Sequence, residues 1–141
     1  MVKTIERESM VIHGWITTLD TSDSGEGLIG ISQQKMRAKE EYASKIEEDL
    51  FVVNALIDGD QCYLIGNKDL TKTRPSEILL PAGTYAYFDL DYQDQVELDQ
   101  EISKCYGELM QDETVKLLGN YNLEEYTAVG KLRLYLPVQK K

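Results

Sequence analysis

The chain has 141 residues, 42% hydrophobic and 28% charged, which suits one globular domain with a core of its own. Its net charge of −10 disfavours direct nucleic-acid binding, anionic membranes and anionic substrates, and is compatible with cationic ligands. One histidine, His13, and two distant cysteines, Cys62 and Cys105, leave little for a metal site. With no secretory pattern and no apolar run near ~20 residues, the expectation is a cytoplasmic protein with reduced thiols, no metal and no cofactor.

Residues 3–19, KTIERESMVIHGWITTL, are rich in β-branched and aromatic side chains and predict one long strand. The polar, glycine-bearing stretch 20–27 predicts a loop. From 28 to 48 the spacing of Ala38, Tyr42 and Ile46 predicts a helix. Residues 49–57 and 61–66 predict two short strands around a tight Asp-Gly-Asp turn. A polar linker follows at 67–76, where Pro75 disfavours regular structure.

The pattern then starts again. Residues 77–90, EILLPAGTYAYFDL, predict a second long strand with a bulge or bend at Pro-Ala-Gly. Residues 95–112 predict a helix with Leu98, Ile102, Cys105 and Leu109 as its apolar stripe. Residues 119–128 and 131–138 predict a closing hairpin turned at Val129-Gly130. The two turn glycines, Gly59 and Gly130, and the pairs Tyr63/Leu134 and Ile65/Leu136 share one repeat spacing. The expected fold is therefore α+β: two βαββ repeats, at about 3–66 and 77–138, in one domain over 1–141. They should share a mostly antiparallel sheet, two helices and a central groove.

Short motifs add little. GEGLIG at 25–30 matches a GxGxxG string, but polar residues separate it from the strand and hairpins follow it, which is not a dinucleotide-binding arrangement. The segment 20–31 resembles a calcium loop up to Gly25 but has Ile31 where a bidentate glutamate is required. His13 has no nucleophile at hand, and Cys105 reads as a buried small residue. The aromatic inventory says more. Trp15, Tyr85, Tyr87, Tyr126 and Tyr135 all fall on predicted strands, and Glu124 shares a strand face with Tyr126. Tyrosines suit strands in any case. Rings around a carboxylate would also suit a lipophilic cation.

Two stretches carry a resemblance. Leu80-Pro81-Ala82-Gly83-Thr84-Tyr85-Ala86-Tyr87-Phe88, then Leu123-Glu124-Glu125-Tyr126 and Leu132–Val138, resemble the motifs of GyrI-like domains. These are the effector-binding domains of bacterial transcription activators of the AraC and MerR classes. The first half matches loosely but in order. Two departures stand out: Leu123 replaces the leading aromatic of an F-E-x-Y segment, and FDLDYQDQ replaces a His-x-Gly-Pro stretch.

The resemblance implies a duplicated βαββ fold with a groove for cationic or amphipathic small molecules. Glu124 would be the counter-ion and Tyr126 its neighbour, with Tyr85, Tyr87, Trp15 and Tyr135 as further ligand-binding candidates. A register slip of one would put Glu125 in its place. No helix-turn-helix pattern precedes the domain in this sequence, so the expectation is a stand-alone effector-binding domain. Two other readings stay open. One is a hydrolase of reactive electrophiles using Glu124 with Tyr126 or Tyr85. The other is a protein-interaction module whose partner is a protein.

Overall fold

The computed structural model describes residues 2–21 and 27–141. The polar loop expected at 20–27, with the start of the glycine string and much of the calcium-like segment, lies largely outside them. The first repeat contains β1 (Lys3–Arg7), β2 (Met10–Thr18), α1 (Gly27–Tyr42), a 3-10 turn (Ala43–Lys45), β3 (Phe51–Ile57) and β4 (Asp60–Asn67). The second contains β5 (Ser76–Leu80), β6 (Gly83–Asp91), α2 (Gln95–Gln111), β7 (Val115–Leu117), β8 (Tyr121–Ala128) and β9 (Lys131–Lys140).

Local chemistry accounts for most of these elements. Asp94 caps α2 by accepting the Glu97 amide at 2.8 Å, worth about 1 kcal/mol. The stripe Leu98, Ile102, Cys105 and Leu109 is buried as the spacing predicts, and each large apolar side chain contributes roughly 1.5–3 kcal/mol. Burial pushes the Cys105 thiol up to about 12, so it remains a protonated packing group. The β3–β4 turn places Asp58 and Gly59 at φ 52° and 84°, the backbone that a two-residue hairpin with right-handed twist requires.

The helix expected over 28–48 ends at Tyr42. Its last turn tightens into 3-10 geometry, and Ile46 is extended, with φ −102° and ψ 111°. The short strand β7, not expected from sequence, pairs with β9.

The strands form one nine-stranded sheet in the order β1-β6-β9-β8-β3-β4-β2-β5, with β7 attached to β9. This order reads the same from both ends if β1 exchanges with β5, β2 with β6, β3 with β8, and β4 with β9. The two halves therefore meet at the β3–β8 pair.

Each long strand is two, the second interrupted at the Pro-Ala-Gly site where the sequence predicts a bulge or bend. The first breaks at Glu8-Ser9 and the second at Pro81-Ala82. Pro81 has no N–H for the ladder. The breaks face each other without a change of register: Arg7 pairs with Gly83, and three residues on, Met10 pairs with Leu80. The same two chain segments thus run side by side at both ends of the sheet, which curls into a half-barrel.

Curling gives the sheet two different faces. One face carries both helices. Under α2 lie Ala86, Leu132, Leu134 and Leu136, and under α1 lie Val52, Tyr63 and Ile65. The other face closes on itself around Ile12, Phe51, Val53, Leu64, Leu123 and Tyr135. The pairs Tyr63/Leu134 and Ile65/Leu136 all lie on the helix-covered face, as the repeat spacing implied.

The tightest point is the β2–β4 pair, where Gly14 sits opposite Gly66. A Cβ on Gly14 would lie 1.9 Å from the Ile65 carbonyl oxygen, which belongs to the backbone and cannot swing away. Gly14→Ala should therefore cost about 1–3 kcal/mol or prevent folding. A thermal or urea melt beside the native protein checks this; equal midpoints would show that the strands can separate at that point.

Candidate functional site

Glu124 lies at the seam between the halves. In β8 it pairs with Val52 on one side and Leu134 on the other, and its side chain is fully buried on the helix-covered face. Such a carboxylate is costly unless its lone pairs are used. Two donors supply them. The Tyr126 hydroxyl donates to Oε1 at 2.6 Å, and Asn54 Nδ2 donates to Oε2 at 2.9 Å. Asn54 also donates to Asn122 Oδ1, and Asn122 donates onward to the Tyr106 hydroxyl, both at 2.9 Å.

Asn54 is the counterpart of Glu124 in the other repeat. It pairs with Tyr63 as Glu124 pairs with Leu134, and Tyr63 and Leu134 share the spacing of the turn glycines. A bulge between Tyr126 and Ala128 supplies the one-residue adjustment that keeps Glu124 on this face. Equivalent positions of the two repeats therefore meet as an amide and a carboxylate.

Four tyrosines surround the carboxylate: Tyr63 from β4, Tyr92 following β6, Tyr106 from α2 and Tyr126 from β8. Burial first, and then the Glu124 charge, holds the Tyr63 and Tyr126 hydroxyls well above their ordinary values. Tyr92 is raised by the same two causes in the same order. These groups are thus neutral donors at physiological pH. The Tyr92 and Tyr126 rings meet edge to face, 6.4 Å apart at 86°. The buried Tyr63 hydroxyl has no hydrogen-bond partner among the described residues. It is a spare donor in the field of Glu124 and Asp99.

The helices supply the remaining wall. Along α1, Ser32, Lys35 and Lys39 share one face by helical spacing and turn toward α2. Ser32 donates to Asp99 at 2.5 Å, and Lys35 pairs with the other oxygen of Asp99 at 2.9 Å. Lys39 donates to Gln95 at 2.6 Å, and its ammonium lies 4.9 Å above the Tyr126 ring. No ion pair joins Lys39 to Glu124 among the described residues. Lys35 thus offsets the charge of Asp99, while Lys39 feels the attraction of Glu124 without pairing to it among the described residues.

The sequence-derived candidates separate into three places. Glu124 and Tyr126 are together, as their alternation implied. Tyr85, Tyr87 and Tyr135 lie on the opposite face of the sheet and do not share this site. Tyr85 donates to the Pro81 carbonyl oxygen at 2.6 Å and is 2.9 Å from the Tyr121 hydroxyl. Tyr135 donates to Glu125 at 3.0 Å, and the Arg7 guanidinium lies 4.2 Å over its ring. Arg133 covers Tyr87 at 4.5 Å. The physical reason is strand alternation: Tyr135 stands between Leu134 and Leu136, so it points away from the helices. Glu125 points to the same side as Tyr135.

Trp15 is on the helix-covered face but remote. Ile65 and Val52, both fully buried under α1, stand between it and Glu124 in one cross-strand row, a separation of about 14 Å for three strand spacings. It stacks on Tyr42 at 5.5 Å and 6°, beside a separate cavity of about 490 Å³ that is also lined by Lys45, Asn67 and Arg74.

The alternation rule did not reveal Asn54, Tyr63, Tyr92, Tyr106 or Lys39. Tyr63 was legible in principle, since it is the repeat counterpart of Leu134 on the helix-covered face. Lys39 reads from sequence as part of an ordinary solvated helix face.

Comparison with known proteins bears on the family and the fold. The family described as integron-associated effector binding protein, Cass2, matches residues 62–138. Comparison with curated proteins gives no match. Among solved structures, the chain resembles the Vibrio cholerae integron cassette protein VCH_CASS2, with 12% identity, TM-score 0.67, and coverage of 98% of this chain and 95% of that one. It also resembles SAV2435, solved with tetraphenylphosphonium bound, with 13% identity, TM-score 0.69, and coverage of 99% and 94%. A third is a protein of Staphylococcus aureus MU50 described as a bacterial transcription regulation protein, with 14% identity, TM-score 0.69, and coverage of 99% and 98%. At such identities the likeness is one of fold.

Tyr126→Phe removes one of the two donors to Glu124 while keeping the ring. The expected cost is about 1.5–3 kcal/mol, the scale of a hydrogen bond to a charged group. Urea unfolding at neutral pH measures it. A change below about 0.5 kcal/mol would mean that the carboxylate is satisfied without Tyr126.

Proposed function

The chain belongs to the integron-associated effector binding protein family, and from that premise we propose that it binds cationic, amphipathic or aromatic small molecules in the groove between α1 and α2, with Glu124 as counter-ion. The observation that carries this reading is a fully buried carboxylate ringed by tyrosines, with no ion pair to a cation among the described residues. Among the described residues its two hydrogen bonds come from neutral groups, so no directly bonded cation balances its charge. A lipophilic cation loses little hydration on entering such a site and gains both the carboxylate and the ring faces. The solved structure of SAV2435 with tetraphenylphosphonium supports the choice of ligand class, since that fold accommodates an ion of this type.

Binding rather than chemistry is favoured by what surrounds Glu124. Both of its oxygens are engaged, and its neighbours are tyrosines held in their neutral form. No serine or cysteine nucleophile is hydrogen-bonded to Glu124 among the described residues for it to activate. A ligand would take up the spare Tyr63 hydroxyl as a donor and use the Tyr92–Tyr126 corner for ring contact.

Titration calorimetry with tetraphenylphosphonium tests the reading, with neutral triphenylphosphine oxide and the Glu124→Gln protein as comparisons. The native protein should bind the cation and bind the oxide weakly. Glu124→Gln should lose about tenfold or more in affinity for the cation and change little toward the oxide. Equal binding of both ligands by both proteins would remove Glu124 from the role of counter-ion.

A further inference from the structure

The seat that a ligand cation would take is already held by a cation of the protein. The Lys39 ammonium lies 4.9 Å from the centre of the Tyr126 ring and 5.9 Å from that of Tyr92. Those two rings form the right-angled corner beside Glu124, and the Tyr126 hydroxyl is bonded to that carboxylate. Lys39 thus completes the arrangement of aromatic faces and carboxylate expected around a bound organic cation. Among the described residues its hydrogen bond goes to a neutral acceptor, Gln95 on α2, and not to either nearby carboxylate. A lysine retained by ring faces and an amide oxygen can be displaced without breaking an ion pair. Lys35 differs, since it is paired directly to Asp99.

We propose that Lys39 is an internal competitor for the cation seat: it neutralises the groove in the free protein, and a ligand cation binds only by displacing it. Lys39 would therefore set the affinity threshold and select ligands whose rings contribute more than a bare ammonium can. This inference rests on the reading of the groove as a cation site. The charged groups facing Lys39 are Glu124 from β8, Asp99 from α2 and Lys35 from its own helix, with Tyr63, Tyr92 and Tyr126 as the other titratable neighbours.

The ordering of proton affinities supports a pH signature. Burial lowers the Lys39 pKa, against the attraction of Glu124 and Asp99, while the surrounding tyrosines are raised. As pH rises, Lys39 loses its charge before those tyrosines gain theirs. Competition for the seat should weaken over that interval.

Tetraphenylphosphonium is the probe, because its own charge does not titrate. Its affinity for the native protein should rise between about pH 7 and about pH 10. Lys39→Met keeps the length of the side chain and removes the charge. It should bind the probe about tenfold more tightly at neutral pH, the scale of one desolvated cation–aromatic contact, and should flatten the pH profile. Lys39→Arg should keep the weaker binding of the native protein. A folded Lys39→Met protein that binds no more tightly than the native one overturns the proposal. If Lys39→Met does not fold, a flat pH profile of the native protein overturns it equally.

Two failures remain distinguishable. Loss of binding in Glu124→Gln with no change in Lys39→Met removes the competitor and leaves the cation groove. No binding by the native protein and no binding by Lys39→Met removes both. Binding that appears only in Lys39→Met would support the competitor most directly.

Discussion

A carboxylate removed from water organises the centre of this molecule. Glu124 sits where the two halves of the sheet meet, and low polarity around it makes every polar neighbour necessary. Asn54 and Tyr126 meet its oxygens directly. Asn122 and Tyr106 extend the chain of hydrogen bonds to α2. The same charge contributes to the raised affinity of the surrounding tyrosines for their protons and attracts Lys39 from α1. One buried charge thereby specifies residues on two helices and three strands.

The duplicated architecture makes such a site possible. Two similar halves joined across β3 and β8 bring equivalent positions face to face, so a single difference between repeats, asparagine in one and glutamate in the other, yields a donor beside an acceptor. A bulge near the end of β8 keeps that pairing in step. Curling of the sheet then sorts the aromatics. The helix-free face buries Tyr85 and Tyr135 in its own core, while the helix-covered face gathers Tyr63, Tyr92, Tyr106 and Tyr126 around Glu124. The close glycine pair in β2 and β4 belongs to the same geometry, because strands that curl this tightly bring backbone against backbone.

Charge balance around Glu124 is finer than the net charge of the chain suggests. The chain totals −10, yet the region between the helices and the sheet contains two lysines opposite two carboxylates. Selectivity at such a place depends on which ion pairs are made and which are only near. Lys35 and Asp99 are in contact and join the helices. Lys39 and Glu124 are near but form no ion pair among the described residues.

The amino-acid sequence by itself determined the elements and their repetition. The period of Leu98, Ile102, Cys105 and Leu109, the turn glycines at one spacing, and the alternation of Glu124 with Tyr126 all depend on neighbours close along the chain, so they are legible without a fold. The sharing of a face between Glu124 and the leucines of β9 was legible for the same reason. Only the tertiary structure decided which face of the long strands met the helices, because Tyr85 and Tyr87 alternate with Ala86 and Phe88 equally well in either sense. It also decided that each long strand breaks and serves both ends of the sheet, that Trp15 stands three strands from Glu124, and that the polar side of α1 faces inward. A helix face carrying serine and lysine looks solvated in isolation. It turns inward here because Asp99 and Gln95, remote in sequence, give those polar groups partners that water would otherwise provide.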